Sequence, residues 1–186
     1  MKNFKTISLM FPLYKDRRTV KKMIFKSLKV LKKIKKKYEI VIVDDGCPEN
    51  SGDYAKKLSK NIPSVKVIFH KKNLGYGAAL KTGMKNCKYD WIFQIDGDAE
   101  YDVDDLPRLI KSSHNSDLVI TYRYKRKYNT ARIIISVIYN MLLRILFNTN
   151  FRDVSTGSRL FKRSILKKVK LTTNSPFVGA ELAIKS

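Results

Sequence analysis

Short runs rich in Val, Ile and Phe alternate along most of the chain with segments of helical spacing, and this alternation constrains the fold more than any other feature. Residues 6–11, 40–43, 65–69, 91–95 and 118–121 read as buried strands. Between them, residues 17–36, 51–60, 76–88 and 103–113 carry apolar residues at helical intervals. Parallel strands need crossover connections, so the pattern predicts an α/β fold with a mostly parallel central sheet flanked by helices. A length of 186 residues suits one domain, and neither a repeat nor a low-complexity linker divides it. The order changes after residue 121. A basic loop, 122–129, leads into a long amphipathic segment, 130–147, and residues 157–161 are expected to return as a strand.

Composition removes several classes of function. With 44% hydrophobic residues the chain can bury a core, despite a formal charge of +23. Two cysteines, Cys47 and Cys87, exclude a disulfide scaffold and suit a reducing compartment. The two histidines, His70 and His114, stand too far apart to suggest a structural zinc site. Residues 1–5 run straight into a strand-like segment without the apolar stretch of a signal peptide. The longest apolar region, 131–147, is broken by Arg132, Asn140 and Arg144, whereas a spanning helix needs ~20 mostly apolar residues. The expected location is therefore cytoplasmic, soluble or peripheral on the inner membrane face. The charge has two readings. Lysines between 21 and 37 surround Ile24, Leu28 and Leu31 as they would on the solvated face of an amphipathic helix, or they attract an anionic partner. No motif for reading nucleic acid accompanies them, so no specific nucleic-acid partner is expected.

Ligands of open α/β sheets sit beyond the carboxyl ends of the strands, and four loops there carry unusual residues. Asp44-Asp45-Gly46 ends the second strand. Two adjacent carboxylates there are costly unless bound or hydrated. One can accept from a base or ribose while the other caps backbone amides, or both belong to a plain Asp-Gly turn. Asn73-Leu74-Gly75-Tyr76-Gly77-Ala78-Ala79 opens a helix, where glycine amides can approach a diphosphate or simply allow tight packing. Neither the dinucleotide fingerprint nor the Walker pattern fits it. Between residues 96 and 105 lie six of the sixteen acidic residues. An EF-hand is excluded by Tyr101 and Pro107. Asp96-Gly97-Asp98 can hold Mg²⁺ or Mn²⁺ through one or two carboxylates while phosphates complete the shell. Asp102, Asp104 and Asp105 favour the start of the next helix. The fourth loop, 152–159, offers arginines suited to phosphate oxygens.

Together these loops, with Pro12-Leu13-Tyr14, Tyr122-Arg123-Tyr124 and Arg132, resemble the family-2 glycosyltransferases of the GT-A fold, in particular the polyprenyl-phosphate (dolichyl or undecaprenyl) sugar synthase group. The resemblance covers nearly the whole chain. It implies a metal-dependent inverting transfer from a GDP- or UDP-linked sugar to polyprenyl phosphate, or to a glycan in cell-envelope polysaccharide synthesis. A catalytically inactive basic surface-binding module is the remaining alternative. By the same resemblance, residues 1–121 form the nucleotide-sugar half and 122–186 the acceptor side. Pro12, Tyr14, Asp16, Asp44, Asp45, Gly75, Gly77 and Asp96 would bind the donor, and Asp96, Asp98 and Glu100 the metal. Asp98, Arg123 and Arg132 would be catalytic, the arginines meeting phosphates. Asp153, Ser155, Arg159 and Glu181 would lie on the acceptor side. Asp153 or Glu181 would supply the base that a sugar hydroxyl, but not a phosphate, requires. Lys15-Asp16, Glu100 and Ser158 depart from the family's usual Asn-Glu, Gln and Phe. Since the family usually continues past the position of Ser186, the resemblance also implies truncation or the loss of later acceptor-binding and membrane elements. The 130–147 helix is expected either to lie in a membrane interface or to pack on the protein's own core.

Overall fold

A computed structural model describes residues 4–122, 130–148, 151, 153–154 and 156–186, with only the backbone described for 130–134. Six strands form one sheet: β1 (Thr6–Leu13), β2 (Lys37–Asp44), β3 (Val65–Phe69), β4 (Trp91–Gln94), β5 (Leu118–Ile120) and β6 (Arg159–Lys162). Their order is β3-β2-β1-β4-β6-β5. The pairs β1–β2, β1–β4 and β2–β3 are parallel, and β6 runs antiparallel to both β4 and β5. The single reversed strand is the one that follows the change of order at residue 121. Among the described residues seven α-helices accompany the sheet: α1 (Val20–Ile34), α2 (Ser51–Leu58), α3 (Tyr76–Asn86), α4 (Leu106–Ser112), α5 (Thr130–Phe147), α6 (Ile165–Lys168) and α7 (Val178–Lys185). The expected α/β architecture is the observed one.

Strand alternation sorts the core into two layers. Ile7, Leu9, Phe11 and Leu13 of β1 face one side with Ile40 and Ile42 of β2, under α1, α2 and α4. Met10, Val41, Ile92 and Phe161 face the other, under α3, α5, α6 and α7. The α1 lysines do coat a solvated face, because Val20, Met23, Ile24, Leu28 and Leu31 take the buried one. Most expected boundaries move by one to three residues, and three of the shifts have a visible cause or consequence. Helix α1 begins at Val20, its first turn tied to the Asp16 carbonyl through the amides of Thr19 and Val20. The predicted 103–113 helix is a 3-10 turn, Val103–Asp105, followed by α4, with Pro107 in the first turn, where a missing N–H costs nothing. Strand β6 starts at Arg159, two residues later than expected.

Helix α5 buries only a narrow stripe: among its described side chains, Asn140, 3% exposed, and Leu143 are buried. The Asn140 amide donates to the Ser136 carbonyl, and its oxygen accepts from Val154 N at 3.0 Å. Ile135, Val137, Ile138, Met141, Leu142, Ile145, Leu146 and Phe147 are exposed, up to 70%. Packing on the protein's own core therefore does not account for this apolar face. Among the described residues no helix is long and apolar enough to cross a membrane.

Candidate active site

The carboxyl ends of β1, β2 and β4, with the start of α3, surround a cavity of about 350 Å³. Pro12, Leu13, Tyr14 and Asp16 come from the β1 end, and Asp45 from the β2 end. Asn73, Gly75, Tyr76 and Ala79 come from the approach to α3, and Asp96, Gly97 and Asp98 follow β4. The parallel register that aligns Leu13 with Asp44 places these ends side by side.

The adjacent carboxylates diverge. Asp44 does not line the cavity; it accepts from Cys47 N at 3.0 Å and Gly52 N at 3.2 Å, fixing the turn and the entry to α2. Burial pushes its carboxyl up and those two amides oppose the shift. The contact of Asp44 with the nucleotide stays an expectation, its carboxylate being turned here toward these amides. Asp45 lines the cavity instead. Its Oδ1 accepts from Leu74 N at 3.0 Å and meets His70 Nδ1 at 2.6 Å, and its Oδ2 accepts from Gly75 N at 2.9 Å. His70 Nε2 in turn meets Thr82 Oγ1 at 2.9 Å. Sequence reading used His70 only to exclude zinc. The signal available was its place one residue past β3, level with the end of β2, where its amide bonds to the Asp44 carbonyl.

The amides of the two glycines in the loop are already engaged. Gly75 N is spent on Asp45 and on Asn73 Oδ1, and Gly77 N bonds to the Asn174 carbonyl at 2.9 Å. Gly75 does line the cavity, with φ +92, which favours glycine. Gly77 does not; a Cβ there would overlap the backbone of Asn174 and Ser175. The tight packing at Gly77 agrees with the packing alternative.

Beyond β4, Asp96 Oδ1 accepts from the Tyr76 hydroxyl at 2.6 Å. Burial, with the negative charge of Asp98 adding to it, outweighs that hydrogen bond and raises the Asp96 carboxyl to about 6. Burial likewise raises Asp16, opposed by the Tyr14 amide and reinforced by Asp98. Asp98 is exposed, and its Oδ1 accepts from Glu100 N at 2.9 Å in a turn where Ala99 has φ +63. Glu100 contributes this amide rather than a cavity-lining carboxylate. Among the described residues no three acidic, histidine or cysteine side chains are gathered as a metal cluster. Of the expected trio, Asp96 and Asp98 line the cavity and Glu100 does not. Three carboxylates, Asp16, Asp96 and Asp98, nevertheless line one cavity, two of them raised partly by the charge of the third. That donor set fits a hard divalent cation completed by phosphate oxygens. Asp102 and Asp104 have the structural role expected of them: both pair with Lys26, and Asp102 caps the amide of Asp104.

The remaining calls divide. Arg123 and Ser155 lie outside the described residues, as does the side chain of Arg132 on α5. Asp153 is 2% exposed. Arg159 is 1% exposed, with its Nη2 on the Thr156 carbonyl. Glu181 is engaged within the fold. Burial alone would push its carboxyl up, but Lys185, Thr172 and Thr173 donate to it and bring it down to about 2. A carboxylate so occupied is a poor proton acceptor.

The family description "Glycosyl transferase family 2" matches residues 8–170. An undecaprenyl-phosphate 4-deoxy-4-formamido-L-arabinose transferase of Pseudomonas syringae pv. syringae is 26% identical over 165 residues, covering 87% of this chain and 49% of that protein. An undecaprenyl-phosphate mannosyltransferase of Micrococcus luteus is 28% identical over 141 residues, covering 72% of this chain and 58% of that protein. The chain thus spans about half the length of the curated relatives it matches. Mycobacterium tuberculosis glucosyl-3-phosphoglycerate synthase, crystallised with Mn²⁺, UDP and phosphoglyceric acid, superposes with a TM-score of 0.76 at 18% identity, over 97% of this chain and 63% of that one. At that identity the likeness speaks for the fold alone, and the expected GT-A architecture is the one found.

Proposed function

Since the chain belongs to glycosyl transferase family 2, we propose that it transfers a sugar from a UDP-linked donor to a polyprenyl phosphate at a membrane surface. The observation that carries this reading is the convergence of Asp16, Asp45, Asp96 and Asp98 on one cavity at the carboxyl ends of three neighbouring strands. Asp98, with Asp96 beside it, would hold Mg²⁺ or Mn²⁺. The metal would neutralise the leaving diphosphate as a Lewis acid. Asp96 is oriented by Tyr76, and Pro12 and Tyr14 form the wall beside the acids. Phosphate loses its second proton near pH ~6, so a phosphate acceptor needs no protein base. This agrees with Glu181 being fully engaged elsewhere.

The uridine preference follows from the lone pairs of Asp45. A carboxylate offers about four acceptor sites; His70, Leu74 N and Gly75 N occupy three. One remains for a single donor such as uracil N3–H. Guanine presents N1–H and N2–H side by side and asks for both oxygens. A hydrogen bond to a charged group is worth about 1.5–3 kcal/mol. UDP is therefore expected to bind at least tenfold more tightly than GDP by calorimetry, and Asp45→Ala to erase the difference. Equal affinities in the parent protein would place base recognition elsewhere.

The membrane surface is supported by the outward apolar face of α5, which is larger than scattered surface residues explain, and by the +23 charge. The acceptor is tested with radiolabelled UDP-sugars, Mn²⁺ and polyprenyl phosphate in anionic vesicles. Label extracted into organic solvent is the expected result. Water-soluble labelled product with a glycan acceptor would assign a saccharide acceptor, and no turnover with any donor would leave an inactive binding module.

A further inference from the structure

We propose that Arg159 is a positioning residue for the acidic pair: buried behind Asp96, it locks the 156–157 turn against the carboxylate that faces the donor diphosphate. The proposal rests on the glycosyltransferase reading of the cavity. Its starting point is a guanidinium that lies wholly inside the protein, with Nε and Nη1 lacking hydrogen-bond partners among the described residues. Burying a charge costs several kcal/mol before any compensation, and apolar residues of similar volume often serve stability as well or better. Packing alone is therefore a poor reason for an arginine here.

Its surroundings supply a better one. Arg159 opens β6 directly opposite Gln94, the last residue of β4, two positions before Asp96. Asp96, Asp153, Tyr76 and Tyr101 are the negative and phenolic groups whose fields act on it. Nη2 donates to the Thr156 carbonyl. The next residue, Gly157, lies so close to Asp96 that a Cβ would overlap Oδ2. The other oxygen, Oδ1, is held by the Tyr76 hydroxyl, which Gln94 Nε2 approaches at 3.4 Å. Both oxygens of Asp96 are thus bounded, one by α3 and one by the turn that Arg159 fixes. Helix α7 closes the back: a Cβ on Gly179 would overlap both terminal nitrogens of the guanidinium, which leaves the side chain little room for another rotamer. A small displacement of a ligand-orienting group typically costs 10–100-fold in metal affinity.

The test separates this role from general stability by measuring UDP binding with Mn²⁺ and with chelator in the full chain, alongside melting. The base contact at Asp45 is independent of Arg159. In Arg159→Met the affinity for UDP in chelator is expected to stay within about twofold, while the gain on adding Mn²⁺ falls at least tenfold. Arg159→Lys keeps the charge but loses the fork that reaches the carbonyl, and is expected to show the same selective loss; it decides the matter if the Met variant does not fold. Equal losses with and without Mn²⁺, or no loss in a folded variant, would overturn the proposal. Failure of the parent protein to bind UDP would overturn instead the reading of the cavity on which it rests.

Discussion

Asn in place of Asp98 is expected to lower sugar transfer at least about a hundredfold while moving unfolding free energy by no more than about 0.5 kcal/mol. The side chain is exposed, and its bond to the Glu100 amide uses Oδ1, an atom that Asn retains. The substitution therefore removes charge and leaves the turn intact. Without that charge a cation would be held in the cavity by the more buried Asp96 and Asp16 alone, and the leaving diphosphate would lose the field that makes departure feasible at neutral pH. Steady-state turnover with Mn²⁺, normalised to folded protein, makes the comparison. Parent-like turnover in the variant would remove Asp98 from the metal and shift attention to Asp16. A variant that lost activity only in proportion to its lost stability would assign Asp98 to the turn.

The sheet was legible because its central strands announce themselves. In β1, β2 and β4 both faces are largely buried, so the stretches 9–13, 40–43 and 91–93 are continuously apolar, and each is followed by polar residues at its carboxyl end. The topology of an open parallel sheet then gathers those ends without further information. What could not be read was the direction of individual side chains after each strand. Asp44 and Asp45 are equivalent in a string of letters. In the fold, consecutive residues leave a strand on opposite sides, and the turn at Gly46, with φ +63, sends Asp44 toward the α2 amides and Asp45 toward the cavity. The glycine loop is a related case: the sequence leaves a diphosphate contact and tight packing both open, and only the folded chain shows that Asp45 and the Asn174 carbonyl engage the amides of Gly75 and Gly77. Arg159, placed on the acceptor side by the family resemblance, is buried, as arginine rarely is. Its burial depends on β6 inserting antiparallel between β4 and β5, a pairing of residues some 65 positions apart in the β4 case that no local pattern encodes. Helix α6, at four residues, is too short to establish a helical period.

Glu181→Gln provides the largest expected change in stability, about 2–3 kcal/mol at pH 7. The carboxylate accepts from Thr172 N at 3.0 and 3.1 Å, from the Thr172 hydroxyl at 2.7 Å, from Thr173 N at 3.1 Å and from Lys185 at 2.5 Å. Those residues lead directly to Asn174, whose carbonyl receives Gly77 N at the start of α3. Glu181 therefore pins the segment against which the cavity wall is built. Glutamine has one acceptor oxygen in place of two, and its amide nitrogen would face donors. The sign of the pH dependence follows from the carboxyl lying at about 2 in the folded chain against 4.5 when unperturbed. The contribution is complete above about pH 4.5 and disappears as pH falls toward about 2. Urea unfolding should accordingly show the parent and variant well separated at pH 7 and converging as pH falls from 4.5 toward 2. A gap that stays constant across that range would mean the ionised carboxylate is not what stabilises the segment. Turnover per folded molecule is expected to survive the substitution, because a phosphate acceptor needs no base. Loss of transfer in a fully folded Glu181→Gln protein would return Glu181 to the chemistry and favour a hydroxyl acceptor.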